Sequence, residues 1–209
     1  MPRSQVRVLA IVALAVMVVV GGALALDGGR QDGPGDDARA RRGLAPTPPP
    51  EPVRPANNAE RDLVRAAQKL VRVRPSDLGY RLVLRGPLDG VRAKTDPVAR
   101  TITLYLAPGQ VAHRVAHDLA HEIGHAYDAR RLTAAQRRDW LARRGASGRP
   151  WLPDGERSDY ASGAGDFAEV FARCHAASPE FRSRLAPAPA DACALLPRGA
   201  ARSQSAARR

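Results

Sequence analysis

The sequence predicts one α+β domain, with a small mixed or antiparallel sheet packed on a histidine-bearing helix and a transmembrane or signal segment ahead of it. Three observations carry this. The chain of 209 residues opens on a basic stretch followed by an unbroken apolar run. Between residues 59 and 196, β-rich runs alternate with segments of helical spacing. His113, His117, His121 and His125 recur at every fourth residue, so they fall on successive turns of a helix. A chain of this length has room for one ordinary domain plus appendages.

Taken in order, Arg3 and Arg7 precede VLAIVALAVMVVVGGALAL, residues 8–26. Such a run is an export signal whose basic end stays in the cytoplasm, which leaves everything after residue 27 outside. It is just long enough to span a bilayer, which takes about 20 apolar residues. Ala23-Leu24-Ala25 also fits a small-x-small cleavage site. The domain is therefore expected to be membrane-anchored through residues 1–26 and facing outside, or secreted if the chain is cleaved after Ala25. Residues 27–58, with PTPPPEP near their end, are too polar and too rich in proline and glycine to bury a core, and read as a disordered linker.

The domain itself, residues 59–196, opens with AERDLVRAAQKLVRV, where Leu63, Ala66, Ala67, Leu70 and Val71 keep helical spacing behind Asn58 as a cap. YRLVLRG (80–86) and RTITLYLAPG (100–109) are β-rich and closed by glycine or proline, and DGVRAKTDP between them reads as a turn with a short strand. Helices are expected over 110–131, 133–145 and 165–178, with a shorter one around Cys193. Residues 197–209 read as a disordered basic tail.

The formal charge of +12 comes almost wholly from arginines scattered along the chain, with aromatics at only 4%. A nucleic-acid interface gathers its cations on one face among stacking aromatics, so nucleic acid is not an expected partner. An acidic surface such as anionic lipid or a wall polymer is compatible with the charge.

Each histidine of VAHRVAHDLAHEIGH lies about 40° around the helix from the previous one, so any neighbouring pair could chelate a metal on geometry alone. The residue that follows the first histidine separates them: arginine in HRVAH, aspartate in HDLAH, glutamate in HEIGH. In the last pair His121 and His125 can hold Zn²⁺ while Glu122 reaches a metal-bound water as general base. Asp118 is one methylene too short for that task. His113 and His117 read as surface or otherwise satisfied histidines. Gly124 costs about 1 kcal/mol of helix stability against alanine, which is explained if another backbone approaches there.

A catalytic zinc takes a third protein ligand and leaves the fourth position to water. No histidine follows at a suitable distance, so the ligand should be an acid of SDYASGAGDFAEVFARC: Asp159, Asp166 or Glu169. Asp159 precedes the helix and reads equally as a loop or capping residue. Cys174 and Cys193 are the only cysteines of an exported chain, so a disulfide between them is expected.

HEIGHAYD followed some forty residues later by DFAEVFA resembles the gluzincin type of zinc metallopeptidase, in particular lethal-factor-like domains and exported actinobacterial relatives. The likeness covers about residues 60–180 and implies a zincin-like fold. In such families the third ligand is a glutamate that begins a Glu-x-x-x-Glu pair, whose later acid braces the site. Carried onto this chain, the later acid matches Glu169 and the ligand position matches Gly165, which cannot bind zinc. Either Asp166 coordinates with Glu169 bracing, or Glu169 coordinates with Asp166 in support, or catalysis is lost; Asp166 has a rival role as the helix N-cap. The resemblance also implies Tyr160 as a donor to the oxyanion and Asp128 as an acid that orients a ligand histidine.

The expected activity is peptide-bond hydrolysis by an extracytoplasmic zinc metallopeptidase, with a peptide or protein substrate paired to an edge strand at 101–106. The alternative is a non-catalytic zinc-stabilised domain that binds a wall polymer or partner, and Gly165 is the residue that speaks for it.

Overall fold

A computed structural model describes residues 53–153, 158–176 and 178–201 of the chain. The expected export segment, residues 27–52 of the expected linker and residues 202–209 of the expected tail lie outside the described residues, within which no helix is long and apolar enough to cross a membrane. The described chain is α+β: six α-helices and a three-stranded mixed sheet.

Helix α1 (Asn58–Gln68) is capped by Asn57, one residue earlier than expected. The Asn57 side chain accepts from the Glu60 backbone, and Glu60 reaches back to the Asn57 N–H. Strands β1 (Arg81–Arg85), β2 (Ala93–Asp96) and β3 (Thr101–Tyr105) fall where the β-rich runs predict them. Their order is β1-β3-β2, with β1 parallel and β2 antiparallel to β3. β3 is thus the central strand, not the edge the sequence suggested for substrate, because both of its ladders are filled; β2 is an edge. Ile102 and Leu104 alternate inward from β3 and are completely buried.

Helix α2 (Ala112–Arg131) carries all four histidines and packs on β2, β3, α1 and, most extensively, on α4 (Gly163–His175). Between them α3 (Ala134–Arg143) starts at a Thr133/Gln136 capping box. Phe167 of α4 is buried edge-on against Trp140 of α3, Phe171 is buried beside Phe167, and the two form the apolar floor behind α2. Two short helices close the domain, α5 (Ala192–Leu195) and α6 (Arg198–Ala201). The second corrects the expected tail: Arg198–Ala201 is ordered, Ala200 is buried, and its carbonyl lies 2.6 Å from Nε2 of the buried His175. Cys174 and Cys193 form the expected disulfide, which ties α4 to α5 across 19 residues and by loop closure contributes about 3 kcal/mol.

Two glycines decide how the helices meet. A Cβ on Gly124 would stand 2.8 Å from the Ala168 backbone and 3.1 Å from Phe171 Cβ, so α4 can lie against α2 only because residue 124 has no side chain. A Cβ on Gly165 would overlap the carbonyl of Asp159. The first is the backbone approach expected at Gly124. The second brings a turn of chain, residues 159–161, onto the start of α4.

Candidate metal centre

His121 and His125 leave α2 on adjacent turns, and their Nε2 atoms are 3.1 Å apart. Oδ2 of Asp159 lies 3.1 Å from each of them. The three atoms make a nearly equilateral triangle, and among the described residues they form a group that could hold a metal ion. A tetrahedral ion with ligands at about 2.0–2.1 Å sets its donor atoms about 3.3 Å apart, so the triangle matches what such an ion needs to within a few tenths of an ångström. Two nitrogens and one carboxylate oxygen are also a donor set that suits zinc and its neighbours in the first transition row.

The acid that completes the triangle is Asp159; of the other two acids the sequence offers for that place, Asp166 and Glu169, neither belongs to it. The cap explains why. Ser162, not Asp166, caps α4: its Oγ accepts from the Gly165 N–H at 3.0 Å and donates to the Asp159 carbonyl at 2.8 Å. This fixes the turn of residues 159–161 against the helix start, and Asp159 fills the space that a side chain at Gly165 would have taken. Asp166 then points the other way, toward α3. Its two oxygens accept from Arg144 Nε and Nη2 at 2.8 and 2.9 Å, from Trp140 Nε1 at 3.0 Å and from Ser183 Oγ at 2.6 Å.

Glu169 stands behind the triangle. Its Oε1 is 2.8 Å from His121 Nδ1 and 3.2 Å from His117 Nε2, and its Oε2 accepts from the Arg182 backbone N–H at 2.5 Å. With its Nδ1–H donated to this carboxylate, His121 presents the Nε2 lone pair to the triangle, the arrangement by which a rear acid orients a metal-binding imidazole. His117 is wholly buried as the second donor to Glu169, while His113 is exposed.

Without a metal, the same geometry demands a proton. Burial drives the His121 pKa down, but hydrogen bonds to Asp159 and Glu169, with the charges of Glu122 and Glu169, overcome this and carry it up to about 10. Burial raises Asp159, and the two imidazoles more than reverse that, holding its carboxyl well below the usual range. A positive charge belongs at the centre of the triangle.

The triangle faces a cleft of about 640 Å³ walled by β2, α2, Tyr160, Leu152 and Arg182. Glu122 lines it, its Oε2 accepting from Thr95 Oγ1 of β2 at 2.7 Å. The Tyr160 ring lies 5.4 Å from that of His121, and its hydroxyl accepts from Arg182 Nη1 at 3.2 Å. Burial and the charge of Glu169 push the Tyr160 pKa up, so the phenol remains a donor at ordinary pH. Asp128 does not orient His125 as the resemblance implied: its oxygens accept from Arg137 Nε at 2.7 Å and Trp151 Nε1 at 2.9 Å, which joins α2 to α3 and to the loop at 151.

Sequence reasoning named Asp159 but could not lift it above a loop residue; the signal was Gly165, which invites a neighbour just as Gly124 does. Thr95, Arg92 and Arg182 reach the cleft across long stretches of chain and carry no local signal. Compared with known protein families, curated proteins and solved structures, the chain has no significant match.

Proposed function

We propose that this domain is an extracytoplasmic zinc metallopeptidase of gluzincin type, in which His121, His125 and Asp159 hold the ion and Glu122 is the general base. The observation that carries the reading is the position of Glu122, next in sequence to one histidine of the triangle and facing the same cleft. Zinc bound there would supply a Lewis acid to polarise a carbonyl and acidify water.

The chain's own residues supply the rest. Glu122, held by Thr95, takes a proton from the attacking water and returns it to the departing amine. Tyr160, a neutral phenol beside His121, donates to the oxyanion that develops on the carbonyl, a role supported by its nearness to the triangle. β2 borders the cleft and is an edge of the sheet, so an extended substrate can add to it as a further strand and be drawn past the triangle. The disulfide suits an oxidising compartment and so supports export. The alternative, a non-catalytic zinc domain, rested on Gly165. That residue now has another account, since its place is filled by the turn bearing Asp159.

The test is hydrolysis of casein and of peptidoglycan stem peptides by the zinc-loaded chain and by its Glu122→Gln variant. The variant is expected to retain zinc and lose turnover by several orders of magnitude. Equal turnover by both, or no cleavage of any peptide by the zinc-loaded wild type, defeats the reading.

A further inference from the structure

One wall of the cleft carries more positive charge than its neighbours neutralise. Asp118 of α2 is almost wholly buried, and a single oxygen, Oδ1, accepts from Arg92 Nη2 at 2.6 Å and from Arg182 Nη1 at 2.9 Å. Arg182 is spent further, donating to Tyr160 and to Glu180, while Glu180 also takes Arg114. The network thus sets Arg92, Arg114 and Arg182 against Asp118 and Glu180, three cations to two anions; of these Arg92, Arg182 and Asp118 line the cleft, together with Lys94 of β2. Of the other carboxylates lining the cleft, Asp159 faces the histidines, Asp128 accepts from Arg137, and Glu122 accepts from Thr95.

Within this wall Arg92 is the group with donors to spare. It uses one N–H of Nη2 on Asp118, whereas Nε and Nη1 have no partner among the described residues, and its side chain is 36% exposed where it lines the cleft. An arginine fork with free N–H groups matches a carboxylate in two-point fashion.

We infer that the cleft selects substrates bearing a carboxylate close to the scissile bond and that Arg92 is the residue that receives it. The inference rests on the peptidase reading of this cleft and names its substrate class. Asp118 and Glu122 are four residues apart, a rise of about 6 Å along α2, and an extended peptide advances about 3.3 Å per residue. A carboxylate held at Arg92 is therefore one or two residues from the bond at the metal. Its source is either an acidic side chain or the free C-terminal carboxylate of a short peptide.

The experiment compares matched peptides with the zinc-loaded chain: Glu against Gln at the positions flanking the cleaved bond, and free against amidated C-termini. Cleavage is followed as kcat/KM, and binding to the Glu122→Gln chain is followed by calorimetry. The inference expects the carboxylate member of one pair to be favoured on the order of tenfold to a hundredfold. Arg92→Gln should bring that ratio toward one, and Arg92→Lys, which keeps the charge but not the fork, should retain part of it. The pair that shows the effect identifies the source. Cleavage without preference, or a preference unchanged in Arg92→Gln, overturns the inference and leaves the peptidase reading intact, since a mere clamp between β2 and α2 alters stability and not selectivity. Carboxylate-dependent binding without cleavage would sustain the subsite and sink the peptidase reading. Neither binding nor cleavage would overturn both.

Discussion

Asp159 and Asp166 are seven residues apart, on the turn ahead of α4 and within its first turns, and they meet opposite fates. Asp166 is wholly buried, but it is satisfied: a guanidinium fork, an indole N–H and a hydroxyl all donate to it. Asp159 is partly open to the cleft and faces two imidazole nitrogens that lie as near to each other as to it. Three such atoms cannot all be acceptors at that spacing unless a proton or a metal ion stands among them. The aspartate with its own cation builds the fold, and the aspartate without one builds the site.

Exchanging the two for asparagine sharpens this difference most. Asp159→Asn should lower zinc affinity by more than a hundredfold, because it removes the charged donor from a set of three. Asp166→Asn should act on the fold instead. Zinc binding is retained, while the domain loses about 3 to 5 kcal/mol because Arg144 is left buried without its counter-charge. Competitive zinc titration and denaturant melts of both variants check the pair. Weakened zinc in Asp166→Asn with normal zinc in Asp159→Asn reverses the assignment.

The contact between the two regions should show a smaller effect. Gly165→Ala places a methyl group against the Asp159 carbonyl and displaces the turn, so zinc affinity should fall although no ligand has changed. Glu169→Gln weakens the brace behind His121 and should cost about 10- to 100-fold in affinity. Normal affinity in Gly165→Ala would mean that the turn is not held where its ligand role requires.

The mildest effect is on pH. In the metal-free chain, His121 has a folded pKa near 10 against 6.5 for the unperturbed group, so its stabilisation is complete below about 6.5 and is lost as the pH climbs through 10. Asp159 has a depressed pKa, so its contribution is present above 3.8 and declines as the pH falls below that. Both are in force between about pH 4 and 6.5, where melts in chelator should show this pair's largest contribution, as the difference between wild type and Asp159→Asn. A difference that grows above pH 9 contradicts the proton-bridged arrangement.

What could be read from sequence follows the same division between local and distant causes. The α2 helix, its HEIGH histidines on adjacent turns, the β-rich runs and the cysteine pair are set by spacing within short windows or by simple count, and the structure contains each of them. The third donor was not legible in that way. Asp159 comes ahead of α4, and only the pairing of a cap at Ser162 with a bare Gly165 brings it onto the histidines. Asp166 looked better because it lies on the expected helix, but at i and i+3 it and Glu169 differ by about 60° around the axis, enough for one to face α3 and the other α2. His117 was read as a surface or satisfied side chain; it is buried and bonded to Glu169, a contact across 52 residues that no window of sequence contains. Strand order is invisible in the runs themselves, so nothing in them distinguishes β3, the central strand, from an edge.

The central claim is that the ion sits among His121, His125 and Asp159, with Glu169 behind. Anomalous diffraction at the zinc edge from crystals of the zinc-loaded chain tests it most directly. The account predicts a single strong peak on this domain, about 2.0–2.2 Å from Nε2 of both histidines and from an Asp159 oxygen, with Glu169 on His121 Nδ1. A peak coordinated by Asp166 or Glu169 in place of Asp159, or no peak among these residues at saturating zinc, would contradict it.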